Sequence, residues 1–278
     1  MTGASFRPGA VALDVDGTVL SRTGELPPAV AAAVQRVVRA GVPVVMATGR
    51  SWRSTRPVID ALGLPAGYAV TANGAVTMAF DPVAPERNRV VSAITFDPGP
   101  VAKAVLARRP GVALAVDHPG GYYVNRPFPD GDLYGEIIVR PLEQMMSEPV
   151  TRLIIRDPEG SEEEFEQLAE ALGYEGVEYY VGYTAWLDIA AEGVSKAAGL
   201  TAVAERLGVP ASGFLALGDG RNDNEMLRWA GRGVALADAP AETKACADAV
   251  TGFFGDGGTI TELDRWFGPA AMAGTGDG

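Results

Sequence analysis

The chain has 278 residues, 47% hydrophobic and 21% charged, which is enough to bury a sizeable core in one large domain or two and unlike a disordered chain. A formal net charge of -12 repels phosphate backbones and anionic lipid, so nucleic acid and membrane are excluded as default partners. One cysteine, Cys246, rules out an intrachain disulfide, and no apolar stretch reaches about 18 residues, so a cytoplasmic protein is expected, as monomer or homodimer.

Apolar strands alternate with helices at the start. "AVALDV" reads as a short buried strand. "PPAVAAAVQRVVRAG" reads as a helix: Pro27 and Pro28 suit its start, Val30, Val34 and Val37 share a face, and Gly41 suits its end. "VPVVMAT" is a second continuous apolar strand. "SWRSTRPVIDALGL" is mostly helix, with a restart expected at Pro57. "YAVTANGAVT" is strand, turn, strand, with Asn73-Gly74 as the turn. Unbroken apolar strands between helices predict a parallel sheet covered on both faces.

From about residue 82 to 186 the pattern changes. Strands come in pairs: "RVVSAITFD", "GVALAVDH", "GYYVNRPF", "VTRLIIRD", "EYYVGY" and "AWLDIA". Helices are expected near 98–109 and 161–172, the second with Phe165, Leu168, Ala169 and Leu172 as its apolar stripe. After residue 190 the first pattern returns: "SKAAGLTAVAERLGV" as helix, "GFLALGD" as strand, "NDNEMLRWAG" as helix, "GVALAD" as strand and "AETKACADAV" as helix. The expected architecture is α/β: a Rossmann-like parallel-sheet core, residues 1–81 and 187–278, with an inserted α+β domain at 82–186. The tail "AMAGTGDG" is expected to be disordered.

Ligands of open parallel sheets bind beyond the carboxyl ends of the strands. The polar groups fall there. The first strand ends in Asp14-Val15-Asp16-Gly17-Thr18 and the second in Thr48-Gly49-Arg50. A helix begins near Lys196, and a later strand runs into "LGDGRND" with Asp219, Asn222 and Asp223. Asp14, Asp16, Asp219 and Asp223 gathered on one rim cannot all stay ionised without a cation. All-oxygen ligands with open positions suit Mg²⁺. The Thr48 hydroxyl, the Lys196 ammonium, the Asn222 amide and the backbone N–H groups of Gly17 and Gly49 suit phosphate oxygens. The inventory describes phosphoryl transfer: one carboxylate attacks phosphorus while another moves the proton. The single histidine, His118, leaves no material for a multi-histidine metal site.

"DVDGT", "TGR", a lysine opening a helix and "GDGRND", in that order, resemble the four motifs of the haloacid dehalogenase (HAD) superfamily of phosphatases. "TANGA" and an insert of roughly 100 residues resemble the Cof-type branch with a C2 cap. The resemblance spans about residues 8 to 267. It implies Asp14 as nucleophile and Asp16 as general acid/base, with the Asp16 backbone carbonyl meeting the metal. It also implies Thr48 and Lys196 as phosphate binders, Asn222 near the phosphate, and Asp219 and Asp223 with Asp14 as the Mg²⁺ site. The 82–186 insert becomes a substrate-selecting cap, and the expected substrate a small phosphomonoester such as a sugar phosphate. Two positions depart from the family pattern: Ala197 follows the lysine, and Asp238-Ala239-Pro240 adds an acid.

Plainer readings stand beside these. Arg50 reaches either substrate or a salt bridge. Asn73 is either a hairpin turn alone or part of the site. His118, Tyr122, Tyr123 and Arg126 are either cap structure or substrate contacts. The alternatives to a phosphatase are a phosphomutase or phosphotransferase, or a non-catalytic protein that binds a phosphorylated metabolite. A signalling receiver domain, which also uses an aspartyl phosphate, is much shorter and lacks a large insert.

Overall fold

A computed structural model describes residues 6–118, 120–172, 176–181, 186–269 and 271. The chain first runs β1 (Ala10–Leu13), α1 (Pro28–Arg39), β2 (Val44–Ala47), α2 (Trp52–Leu62), β3 (Gly67–Thr71), β4 (Val76–Phe80) and β5 (Arg89–Ala93). The middle follows with α3 (Gly99–Arg108), β6 (Ala113–His118), β7 (Gly121–Val124), β8 (Glu136–Val139), α4 (Leu142–Met145), β9 (Leu153–Arg156), α5 (Glu162–Leu172), β10 (Val177–Val181) and β11 (Trp186–Ala191). The last part is α6 (Lys196–Leu207), β12 (Phe214–Gly218), α7 (Asn224–Trp229), β13 (Arg232–Ala235), α8 (Ala241–Cys246), β14 (Ala249–Val250) and α9 (Gly258–Phe267). Two compact units result: residues 1–91 with 195–278, and residues 92–194.

The first unit is a three-layer α/β sandwich. Its sheet has the order β14-β13-β12-β1-β2-β3-β4-β5, parallel from β14 through β3, with β4 antiparallel to β3. Period-two alternation sends Val11, Leu13 and Val15 to one face, against α1, α2 and α9, and Ala10 and Ala12 to the other, against α6 and α7. Both faces are thus buried, which is why the parallel strands read as unbroken apolar runs. The chain winds outward from β1 through β2 and β3, then returns to place β12 on the other flank of β1. Strand order reverses beside β1, the place where open α/β sheets leave a crevice.

Several local expectations change. Helix α2 runs through Pro57 without a restart. Ser51 caps its N-terminus by accepting from the Ser54 N–H, Gly63 closes it in the left-handed region, and Val58, Ile59 and Leu62 are buried beneath it, which together offset one lost backbone bond. β5, expected among the middle strands, adds instead to the edge of this sheet beside β4. The helix expected over 241–250 stops at Cys246, and its end becomes the edge strand β14. Helix α9, which the sequence reading passed over, packs Leu263 and Phe267 against α1.

The second unit is α+β. Its sheet has the order β10-β11-β9-β6-β7-β8, antiparallel except for β7 with β8. Helices α3 and α5 cover one face through Val101, Val105, Phe165, Leu168 and Leu172, as the stripe in α5 predicts. The other face carries Tyr122, Phe128, Leu133 and Ile154. On that face a buried Arg152 donates to both Asp117 oxygens, to Asp188 and to the Tyr122 hydroxyl. Burial alone would lower the Arg152 pKa, but Asp117 and Asp188 outweigh it and hold the guanidinium charged. Strands β8 and helix α4 lie beyond what the sequence pattern predicts. Residues 182 and 183 of "EYYVGY", Ala185 of "AWLDIA" and the tail from residue 272 lie outside the described residues.

Candidate active site

Asp14 follows β1 directly, at the carboxyl end of the strand next to the reversal, and is 5% exposed. Asp219 follows β12, its parallel neighbour, and Asp223 closes the next turn; both are buried. One carboxylate oxygen from each of the three lies within 4.8 Å of the others. Lys196, the first residue of α6, reaches in with its side chain fully buried and donates to Asp14 Oδ1 and Asp223 Oδ1, each at 2.6 Å. An ammonium at a helix N-terminus opposes the helix dipole, so it is the two carboxylates that hold it there.

The charges are not balanced. Three acids face one buried ammonium, and the half-exposed Arg22 guanidinium lies 3.6 Å from Asp219. Burial pushes the Asp14 carboxyl well above the usual carboxylate range; Lys196 opposes the rise, and Asp223, Asp219 and Asp16 add to it. Burial would lower Lys196, but Asp14 and Asp223 outweigh it, so its pKa is raised. The donor set, all oxygen and carrying excess negative charge, fits a hard divalent cation. Both Asp223 oxygens are engaged within the protein. Its Oδ1 takes Lys196, and its Oδ2 accepts the backbone N–H groups of Asp219 and Gly220 at 3.0 and 2.9 Å.

Asp16 behaves differently from the other three. Its side chain is 47% exposed, and it forms a two-pronged ion pair with Arg50, Nε to Oδ2 at 2.8 Å and Nη2 to Oδ1 at 2.5 Å. The expectation of four clustered acids is therefore corrected: three cluster, and the fourth is held by Arg50. Gly17 explains the split. Its φ of +81° turns the chain, and a Cβ there would lie 2.2 Å from Asp219 Oδ2. The expectation that the Gly17 N–H faces phosphate is also corrected, because it donates to the Leu20 carbonyl at 2.8 Å.

Thr48, at the end of β2, is buried, and its hydroxyl accepts from the Arg50 N–H at 3.1 Å, which leaves its own proton for another acceptor. Gly49 follows it and abuts Asn73. Asn222 donates from Nδ2 to Asn73 Oδ1 at 2.9 Å. Asn73 is thus both turn and site neighbour: it is 2% exposed and in the left-handed region, φ 54°. Gly74 beside it lets α6 approach, since a Cβ would lie 2.0 Å from the Ser195 carbonyl oxygen, one residue before Lys196. Asp238 accepts the Phe254 N–H at 2.6 Å, and Arg126 donates to the carbonyls of Gly111 and Pro110. Arg22, absent from the sequence reading, reaches Asp219 Oδ2 at 3.6 Å from the loop after β1; only proximity in the fold marks it.

A family profile described as haloacid dehalogenase-like hydrolase matches residues 11–263. The chain belongs to this superfamily. It is an enzyme of the phosphatase class, with the α/β fold its motifs imply. It is 28% identical, over 93% of its length and 99% of the relative's, to a phosphoglycolate phosphatase of Methanothermobacter thermautotrophicus. A solved HAD phosphatase from Bacteroides thetaiotaomicron aligns over 96% of this chain and 97% of its own, with a TM-score of 0.75 and 26% identity. The fold is shared with a subclass IIB sugar phosphatase at a TM-score of 0.77 and 22% identity, over 92% of this chain and 98% of that one. No helix of the described residues is long and apolar enough to cross a membrane.

Proposed function

We propose that the enzyme is a Mg²⁺-dependent phosphomonoesterase that hydrolyses a small phosphorylated metabolite through a phosphoaspartyl intermediate. The observation that carries this reading is the buried Asp14, held through one oxygen by Lys196 and flanked by Asp219 and Asp223 at the strand-order reversal. With Oδ1 engaged, Oδ2 is the oxygen that attacks phosphorus. Asp16 protonates the departing alkoxide, then takes a proton from the water that opens the acyl phosphate, so inorganic phosphate leaves and Asp14 returns to its starting state. Thr48, Gly49, Lys196 and Asn222 hold the phosphoryl oxygens. Asp14, the Asp16 carbonyl, Asp219 and Asp223 would hold Mg²⁺, Asp223 chiefly by fixing the loop and Lys196. The bound ion supplies charge neutralisation for two anions brought together. The Arg50–Asp16 pair keeps the proton carrier apart from the acid cluster until substrate arrives.

The substrate class is a sugar phosphate or a similar small phosphomonoester. The relatives named for phosphoglycolate and for sugar support that range, and the second unit is the candidate for choosing within it. A phosphotransferase uses a second hydroxyl in place of water, and release of inorganic phosphate without an acceptor separates the two. Asp14→Asn is expected to abolish turnover of p-nitrophenyl phosphate, a fall of at least about 10³-fold, with the fold kept by circular dichroism. Full activity in that variant would sink the mechanism. Assay of phosphorylated metabolites with Mg²⁺ and with EDTA identifies substrate and metal together.

A further inference from the structure

The second unit contains a cavity of about 500 Å³, built mainly from residues of the helix-covered side of its sheet and reaching Asp117, whose carboxylate is held by Arg152. Val116, Met145, Pro149 and Val150 line part of it, and His118, Tyr123, Arg140, Gln144, Ser147 and Glu148 surround the rest with Asp117, whose two oxygens are taken by Arg152. Strand register places it: Val116 pairs with Tyr123 and His118 with Gly121, so His118 and Tyr123 stand together on one face. Their rings stack at 4.2 Å, 9° from parallel. The Arg140 guanidinium lies 5.6 Å from the Tyr123 ring centroid and has no carboxylate partner among the described residues.

His118 carries the sharper signal. Its Nδ1 accepts the Gly120 N–H at 3.1 Å, so the proton of the neutral ring is on Nε2. Nε2 is buried and has no hydrogen-bond partner. A buried N–H without an acceptor is costly, and the stack with Tyr123 holds it that way. Arg140 and His118 are both donors, so the missing group is an acceptor. Glu148, exposed on the same lining, disfavours a dianion and suits a ligand that also carries a donor.

We propose that this cavity is a second ligand site, for a small hydroxy- or amino-carboxylate. The carboxylate meets Arg140 and His118 Nε2, and the hydroxyl or amine faces Glu148. Nε2 is uncovered as the cavity fills, by a side-chain shift of the kind common on binding. The site shares no residue with the acid cluster and does not depend on the proposed reaction.

The chain has one histidine, so the His118 Cε1–Hε1 NMR signal is a single peak that reads the cavity directly. Acetate, glycine and L-lactate are titrated at ionic strength held constant with sodium chloride, and inorganic phosphate is titrated alongside. The expected result is a saturable shift, with glycine or lactate tighter than acetate. Arg140→Ala weakens binding by about tenfold or more, while Arg140→Lys retains part of it. Glu148→Gln removes the advantage over acetate. Asp14→Asn leaves the titration unchanged, which separates this site from the reaction centre. The proposal is overturned by the absence of a saturable shift, by a shift indifferent to Arg140→Ala, or by phosphate binding as tightly as the carboxylates.

Discussion

At the scale of single residues, the acid cluster depends on one buried cation. Lys196 is the only ammonium or guanidinium within hydrogen-bonding distance of Asp14 among the described contacts, and it also holds Asp223. Lys196→Met removes the charge that two buried carboxylates share, so a loss of about 3–5 kcal/mol is expected at pH 8 without added metal. The loss shrinks towards pH 5. Asp14 has its pKa raised by burial, so the folded state binds protons more tightly than the unfolded one, and stability in this window falls as pH rises. Thermal melting of wild type and variant at the two pH values checks this; equal losses at both would exclude Asp14 as the group that takes the proton. The residue types were readable in order along the chain. That Arg50 pairs with Asp16 was not, because an arginine two residues after Thr48 can turn toward either substrate or acid.

At the scale of elements, helix α5 shows how local chemistry fixes a boundary. The Ser161 hydroxyl accepts the Glu164 N–H at 3.2 Å, and Glu164 accepts the Ser161 N–H at 3.0 Å, a reciprocal cap. Ser161→Ala is expected to cost about 1 kcal/mol. The Ser161 N–H, then Arg109, hold the Glu164 carboxyl below its ordinary range. The unfolded chain therefore binds the proton more tightly, and the stabilisation is present above the ordinary carboxylate range and lost as pH falls through it. The gap in melting temperature between wild type and Glu164→Gln should narrow from pH 6 to pH 3. A constant gap would exclude the carboxylate charge as its source. Caps and apolar stripes are local, which is why α1, α5 and α6 were legible in the sequence. Pro57 misled because burial of Val58, Ile59 and Leu62 is decided by tertiary packing.

At the scale of the whole molecule, the acid cluster exists only when the two ends of the chain meet. β1 pairs with β12 in register, Ala10 with Phe214 through Leu13 with Leu217, about two hundred residues apart. A chain ended at residue 194 leaves one side of β1 unpaired and removes α6, α7 and the faces they cover. It is expected to lose cooperative unfolding of the first unit, while residues 92–194 keep their own core. Dispersed NMR signals from residues 10–80 in that truncated chain would contradict this dependence. Long-range parallel pairing also predicts slow folding relative to helical chains of this size.

The sequence by itself determined the α/β class, the inserted, largely antiparallel segment and the motifs whose residues form the candidate site. Those signals are periodicity, turn chemistry and short motifs, each readable within a dozen residues. Tertiary structure alone decided which acids cluster, that the Gly17 N–H is spent on Leu20, that β5 joins the first sheet, and that Asn73 touches Asn222. These depend on distances between residues far apart in the chain, set by strand register and by the close approach of α6 over Gly74.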